Sequence, residues 1–239
     1  MARYIAVMSC LAAEYAKCLP ENIEVLFLPP DTSIDDPVSS HPDMILCAVG
    51  KQMIVSEGYY KEHQELFEYL ALRTEFSASP SCAPRGKKYP FDIAFNVLTT
   101  PRHIFSLTEH TAPEIIAEAE RSELISVRVK QGYAACSSLI AGACIISADP
   151  SILKAASEHG YDTLAISEGN ILLDGYAHGF IGGASGVCGN SVYFLGNIMR
   201  HPDGEKIRGK LASHGFDIVS LSDYPLTDFG GIKFFSVCS

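Results

Sequence analysis

At 239 residues, with 47% hydrophobic and 19% charged content, the chain has the composition of a packed globular protein and lies far from the disordered regime. Its net charge of −10, with no basic run longer than Lys87-Lys88, leaves a phosphate backbone no basic surface, which argues against nucleic acid as a partner. No apolar run approaches the roughly 20 residues of a membrane-crossing helix, and the eight cysteines form no C-x-x-C pair, so they read as reduced thiols in a cytoplasm rather than zinc ligands or secreted disulfides.

In chain order, RYIAVMSCLAAEYAKCLPENIEVLFL from Arg3 reads as strand, helix, strand, so its IAVMSCLAA run belongs to a folded unit and not to a signal peptide. PPDTSIDDPVSSHP (29–42) follows as a loop, and then comes the short apolar strand DMILCAV. QMIVSEGYYKEHQELFEYLALRTEF from Gln52 repeats the first order. It runs into SASPSCAPRGKKYP (77–90), a surface loop with three prolines and the only basic cluster. The strand FDIAFNV precedes RHIFSLTEHTAPEIIAEAERSELISVRV from Arg102. Its helix takes Thr111 as N-cap, Pro113 in the first turn and Glu114 at capping-box spacing. ACSSLIA precedes ACIISADPSILKAASEHGYDTLAI (143–166), where Asp149 caps the helix and Gly160 stops it. GFIGGASGV precedes SVYFLGNIMRHPDGEKIRGKLASHGFDIV (191–219), whose helix is weakened by Gly209. The last strand is GGIKFFSV.

A strand-strand-helix-strand unit thus occurs five times, and the first lacks its leading strand unless GGIKFFSV supplies it. A period of roughly 45–50 residues, closed by its own last strand, predicts a five-bladed α/β propeller in a single domain over 1–239. The inner strands are expected near 43–49, 92–98, 135–141, 179–187 and 231–237 around a central channel, with helices outside and the 29–42 loop over one mouth. Polar residues on or beside those strands are the candidates for a site: Asp43, Asp92, Asn96, Gln131, Ser137, His178 and Lys233.

Five such units resemble the plan of the pentein, or guanidine-modifying enzyme, superfamily. It holds arginine and agmatine deiminases, amidinotransferases, dimethylarginine dimethylaminohydrolases and a non-enzymatic ribosome anti-association factor. HPDMILCAVGKQMIVSEG resembles the first acidic strand of the dimethylarginine hydrolases and the turn after it, and FDIAFN resembles their Gly-Gly-Asp-Val strand. ACSSLIAGACIISAD is similar to the Cys-Ser strand after their catalytic histidine, and LTDFGGIKFFSV to the last strand, which carries their nucleophilic cysteine. The resemblance implies that Asp43 is a substrate-binding carboxylate and Asp92 the acid that partners the histidine. Two positions depart from it. The nucleophile falls on Phe234, or on Lys233 if the register slips by one, and the histidine falls on Gln131. Phe cannot attack carbon and Gln cannot shuttle a proton near neutral pH.

The expectation is a catalytically silent pentein that binds a small cationic, guanidine- or amine-like ligand, or a protein partner, through an acidic channel, without cofactor or metal. The alternative is a guanidine-modifying hydrolase or transferase using a displaced nucleophile such as Cys136, with His178 and Asp92 beside it. Each residue also has a plainer reading. Asp43 and Asp92 stand where an Asp caps a turn, Cys136 reads as a buried thiol, and His178 as a turn histidine. Lys233 either pairs with the carboxylates inside the channel or runs its stem to the mouth. Gly182, Gly183 and Gly186 precede no Gly-Lys-Ser/Thr, so they read as close-approach positions of inner strands. The two His-Pro-Asp triplets, at His41 and His201, lack the further ligands of a metal site. Oligomeric state is not legible.

Overall fold

The computed structural model describes residues 3–238, which form five three-stranded sheets of one pattern: the inner strand runs antiparallel to the middle one, and the middle strand parallel to the outer. In the first sheet the inner strand comes from the far end of the chain: Lys233–Ser236 pairs with Tyr4–Ser9, which pairs with Ile23–Leu28. The register there sets Tyr4 against Ser236 and Val7 against Lys233. The second sheet is Leu46–Val49, Gln52–Ser56 and Ser77–Ser81, and the third is Leu98–Thr99, His103–Ser106 and Ile125–Arg128. The fourth is Ser138–Ala141, Cys144–Ser147 and Asp162–Ala165, and the fifth is Ser185–Cys188, Ser191–Phe194 and Asp217–Ser220. This is the five-bladed α/β propeller.

The local chemistry explains the pattern. Middle strands such as His103–Ser106 and Cys144–Ser147 are buried at every position and carry near-continuous apolar runs. Outer strands such as Asp162–Ala165 keep exposed ends, as edges do. Two-residue hairpins join inner to middle strands in the second, fourth and fifth sheets, each with a glycine first at φ +57°, +60° and +57° (Gly50, Gly142, Gly189). The helices pack between neighbouring blades. Ile115 and Ala119 of Pro113–Arg121 meet Cys47, Ile54 and Ile104, whereas Ile207 and Leu211 of Gly204–Ser213 meet Leu139, Ile146 and Phe194. Among the described residues no helix is long and apolar enough to cross a membrane.

Several expectations shift. Ser77–Ser81, read as loop, is the outer strand of the second sheet; Pro80 fits there because an edge position leaves one side of the backbone unpaired. Thr111 does not cap its helix, which starts at Pro113 after Ala112, while the Thr111 hydroxyl donates to the Leu107 carbonyl at 3.2 Å. Asp149 does cap, its Oδ1 accepting from the Ser151 and Ile152 amides at 2.8 and 2.9 Å. The inner strands are shorter than expected, because residues ahead of them turn inward as loops or, at Pro42–Ile45, as one helical turn. Asp43, Asp92 and Asn96 therefore precede the strands rather than sit on them.

At the axis, backbone meets backbone. A Cβ built on Gly182 would lie 2.2 Å from the Ala135 carbonyl and 2.4 Å from that of Ser138, neither of which has a flexible end to yield. Gly182→Ala should therefore cost about 3 kcal/mol in urea unfolding. Gly209, mid-helix with nothing within 4 Å of its would-be Cβ, should instead gain about 0.5–1 kcal/mol on Gly209→Ala.

Candidate functional site

The segments ahead of the inner strands converge on a cavity of about 230 Å³. Pro42 opens the helical turn that buries His41 and Asp43, and Asp228 reaches the same place from the turn before the last strand. Asp228 is fixed by backbone: its Oδ2 accepts from the Phe180 amide and its Oδ1 from the Gly230 amide, each at 2.9 Å. It fits because Gly183 has no side chain; a Cβ there would sit 1.9 Å from Asp228 Oδ1. The Cys136 thiol donates to Asp43 Oδ2 at 2.7 Å and accepts from Asn96 Nδ2 at 3.3 Å. Asn96 in turn accepts the Ala135 and Cys136 amides at 2.8 and 3.1 Å, which locks the loop carrying the thiol. On the wall, Tyr133 donates to Asp92 Oδ2 at 2.7 Å and stacks on Phe180 with centroids 6.2 Å apart.

Burial sets the proton distribution. Desolvation, reinforced by the Asp43 charge, raises Asp228 well above the ordinary carboxylate range. Desolvation, then Asp43 and Asp228, pushes the Cys136 thiol up, so it is held as the neutral acid. His41 has its Nδ1 3.7 Å from Asp228 Oδ1 and no hydrogen-bond partner for either nitrogen among the described residues; desolvation takes it down to about 4, so it is neutral. Asp92 is raised by burial, against the pull of the Tyr133 hydrogen bond and the Arg85 charge.

The structure brings Asp43, Asn96 and Cys136 into one cluster, and sets Asp92 and His178 on the same cavity. His178 stands at its rim, with Nε2 3.2 Å from Glu168 Oε1 and its ring edge-on to Phe180. Gln131 and Lys233 lie elsewhere. Gln131 donates to Asp149 Oδ2 at 3.2 Å on the outside, held by the start of the next helix. Lys233 and Phe234 line a separate cavity formed by the inner strands themselves, so Lys233 is not the cation between Asp43 and Asp92. Its register opposite Val7 sets it on the strand, beyond the turn that carries Asp228. The buried cation is instead Arg85, from the loop after Ser81: Nη1 lies 2.9 Å from Asp31 Oδ2, Nη2 donates to the Met44 carbonyl at 2.6 Å, and the guanidinium covers the Phe95 ring. It pins the 77–90 segment to the 29–42 loop.

Asp228, His41 and Tyr133 were not singled out as candidates in the sequence. The Asp before Gly230-Gly231 was the available signal for the first, and the His-Pro-Asp triplet at His41 for the second, since Pro42 turns both of its flanking side chains inward.

The fold is the pentein fold, and solved structures share it. A dimethylarginine dimethylaminohydrolase from Pseudomonas aeruginosa, complexed with citrulline, has a TM-score of 0.54 at 12% identity over 93% of each chain. The N-terminal domain of an arginine dihydrolase from cyanobacteria, bound to product, has 0.53 at 13% identity over 92% of this chain and 90% of that one. The agmatine deiminase of C. jejuni has 0.50 at 10% identity over 91% and 75%. At such identities the likeness is one of fold. By sequence, residues 11–233 match the Family of unknown function (DUF6873), and the chain belongs to that family. No curated protein matches the sequence.

Two measurements test the electrostatics. Asp228 titrates higher folded than unfolded, so its contribution is complete at low pH, below the ordinary carboxylate value of 3.8, and is lost as pH rises toward its raised value. His41 works oppositely: its contribution is full above 6.5 and lost as pH falls toward about 4. Asp228→Asn cannot ionise, so its stability relative to wild type should climb steadily from about pH 5 to about pH 8 in urea titrations. A flat difference would contradict the buried-carboxyl assignment. Separately, Arg85→Met strands Asp31 and should cost about 3–5 kcal/mol. Lys233→Met, which breaks no ion pair among the described residues, should stay within about 0.5 kcal/mol of wild type.

Proposed function

We propose that the chain binds a small organic cation, a guanidine or an amine, in the acidic cavity, and that it does so without deiminase-type turnover. The observation that carries this reading is that two buried carboxylates, Asp92 and Asp228, line a space whose lining includes no Lys or Arg, with a third, Asp43, hydrogen-bonded to the Cys136 thiol that also lines it. Burial and the Asp43 charge both oppose ionisation of Asp228, so a proton or a cation is needed there. A bound cation takes over the part that the Asp228 proton plays in the empty cavity. The aromatic walls, Tyr133, Phe180 and Tyr176, suit the flat face of a guanidinium. Against turnover stands the thiol: the hydrogen-bond partners of Cys136 are a carboxylate and an amide, neither of which removes its proton as a base near neutral pH would need to.

A second reading keeps chemistry in view, because Cys136 lines the same cavity. A guanidinium against Asp228 would favour the thiolate of Cys136, which adds to the guanidinium carbon. The amine then leaves with the thiol proton, and water releases a urea from the thiouronium. A protein partner at the same mouth is the remaining alternative.

Calorimetry with guanidinium, agmatine and arginine decides among them. Saturable binding is expected, tightening with pH and releasing a fraction of a proton per ligand as Asp228 ionises. Asp228→Asn should weaken it by about tenfold or more. No heat and no thermal shift with any of the three would overturn the reading. Release of a ureido product, abolished by Cys136→Ala, would establish the hydrolase instead.

A further inference from the structure

The channel has a second cavity, of about 270 Å³, which the acidic site does not use. Each inner segment serves both spaces. Its residues ahead of the strand face the acidic cavity, as Met44, Asp92, Cys136, Phe180 and Asp228 do. Its strand residues face the other, as Cys47, Thr99, Ser138, Ser185 and Lys233 do. The two cavities share no lining residue, and Gly182, packed against the backbone of Ala135, Cys136 and Ser138, belongs to the lining of the second.

The second cavity has the opposite polarity. No Asp or Glu lines it, and its single charge is Lys233, which makes no ion pair with any described residue. The nearby Cys47 is a neutral thiol, pushed up to about 11 by burial despite the Lys233 charge, so it does not neutralise the ammonium. Ser138 is buried, and its hydroxyl has no hydrogen-bond partner among the described residues. A buried hydroxyl without a partner costs free energy that a ligand acceptor would recover. Thr99 and Ser185 also line it, beside apolar side chains that include Phe76, Val97, Leu139 and Ile232.

We propose that this mouth is a binding site for a small organic monoanion, a carboxylate on an apolar body, held by Lys233 with Ser138 in support. One ammonium matches one negative charge. A dianion would carry a second charge into a lining that holds no second cation. The net charge of −10 opposes anions at long range, but salt screens it beyond about 8–10 Å, and within the cavity the nearest charge is positive.

The test titrates the full chain with benzoate, propionate and inorganic phosphate by calorimetry. Benzoate should saturate and propionate bind more weakly. Lys233→Gln should weaken benzoate by about tenfold to a hundredfold, Lys233→Arg should retain it within a few-fold, and Ser138→Ala should cost several-fold. Asp228→Asn, at the other mouth, should leave anion affinity unchanged. A crystal soaked in 4-bromobenzoate should place bromine in the Lys233 cavity, a readout that stands even if a variant fails to fold. The proposal is overturned by absence of saturation with every probe, by Lys233→Gln binding as well as wild type, by phosphate saturating where benzoate does not, or by bromine located elsewhere. Because these probes carry the opposite charge, their failure leaves the cation reading intact, and failure of the cation titration leaves this one intact.

Discussion

The pairing of Lys233–Ser236 with Tyr4–Ser9 is the interaction on which the rest depends. Without it the first sheet has two strands and an unpaired edge, and the ring has a gap. The same pairing sets the height of the preceding turn, and so the position of Asp228, which reaches across to the Phe180 amide and the space left by Gly183. Ring closure and site geometry are thus one constraint. A residue distant in sequence from Asp43 is brought against it by the last pairing the sheets make. Loop closure over most of the chain is costly in entropy, although that cost grows only slowly with length.

A second constraint is desolvation. Evolution ordinarily keeps carboxylates at the surface, yet here Asp92 and Asp228 are buried on one cavity and Asp43 is buried against the Cys136 thiol that lines it. Their neighbours show how the fold accommodates them: backbone amides for Asp228, a phenol for Asp92 and a thiol for Asp43. Each donor is neutral, so none cancels the charge. Among the described residues the buried guanidinium is Arg85, committed to Asp31 and to a carbonyl at the place where the two long loops meet. Its role is architectural: it ties those loops together above the cavity wall and touches Asp92 only through its field.

The blade pattern was legible because it is written in local chemistry. Apolar strands, Asp149 with Pro150, and Gly160 at the helix end each act within a few residues, and the recurrence of the unit they mark exposed the ring. Asp43, Asp92, Asn96 and Cys136 were also legible as polar positions on segments bound for the axis, and a likeness to guanidine-modifying enzymes pointed the same way. What escaped depended on height along the axis. Lys233 and Asp228 are five residues apart, and nothing local says that the chain passes from one cavity to the other between them. The Arg85 loop escaped for a related reason: its proline content signals irregularity, while burial of a guanidinium is decided by the partner loop. His41 was visible only as one member of a triplet whose turn geometry periodicity does not report.

The Tyr176 contact has a kinetic meaning. Tyr176 is partly exposed and lines the acidic cavity, and its hydroxyl is tethered to Asp35 at 2.8 Å. An occupant that leaves on the Tyr176 side has that tethered ring to pass. Changes at the Tyr176–Asp35 tether would alter how long an occupant stays while leaving the carboxylates that hold it untouched, so the dissociation rate and the chemistry of recognition can be tuned by different residues.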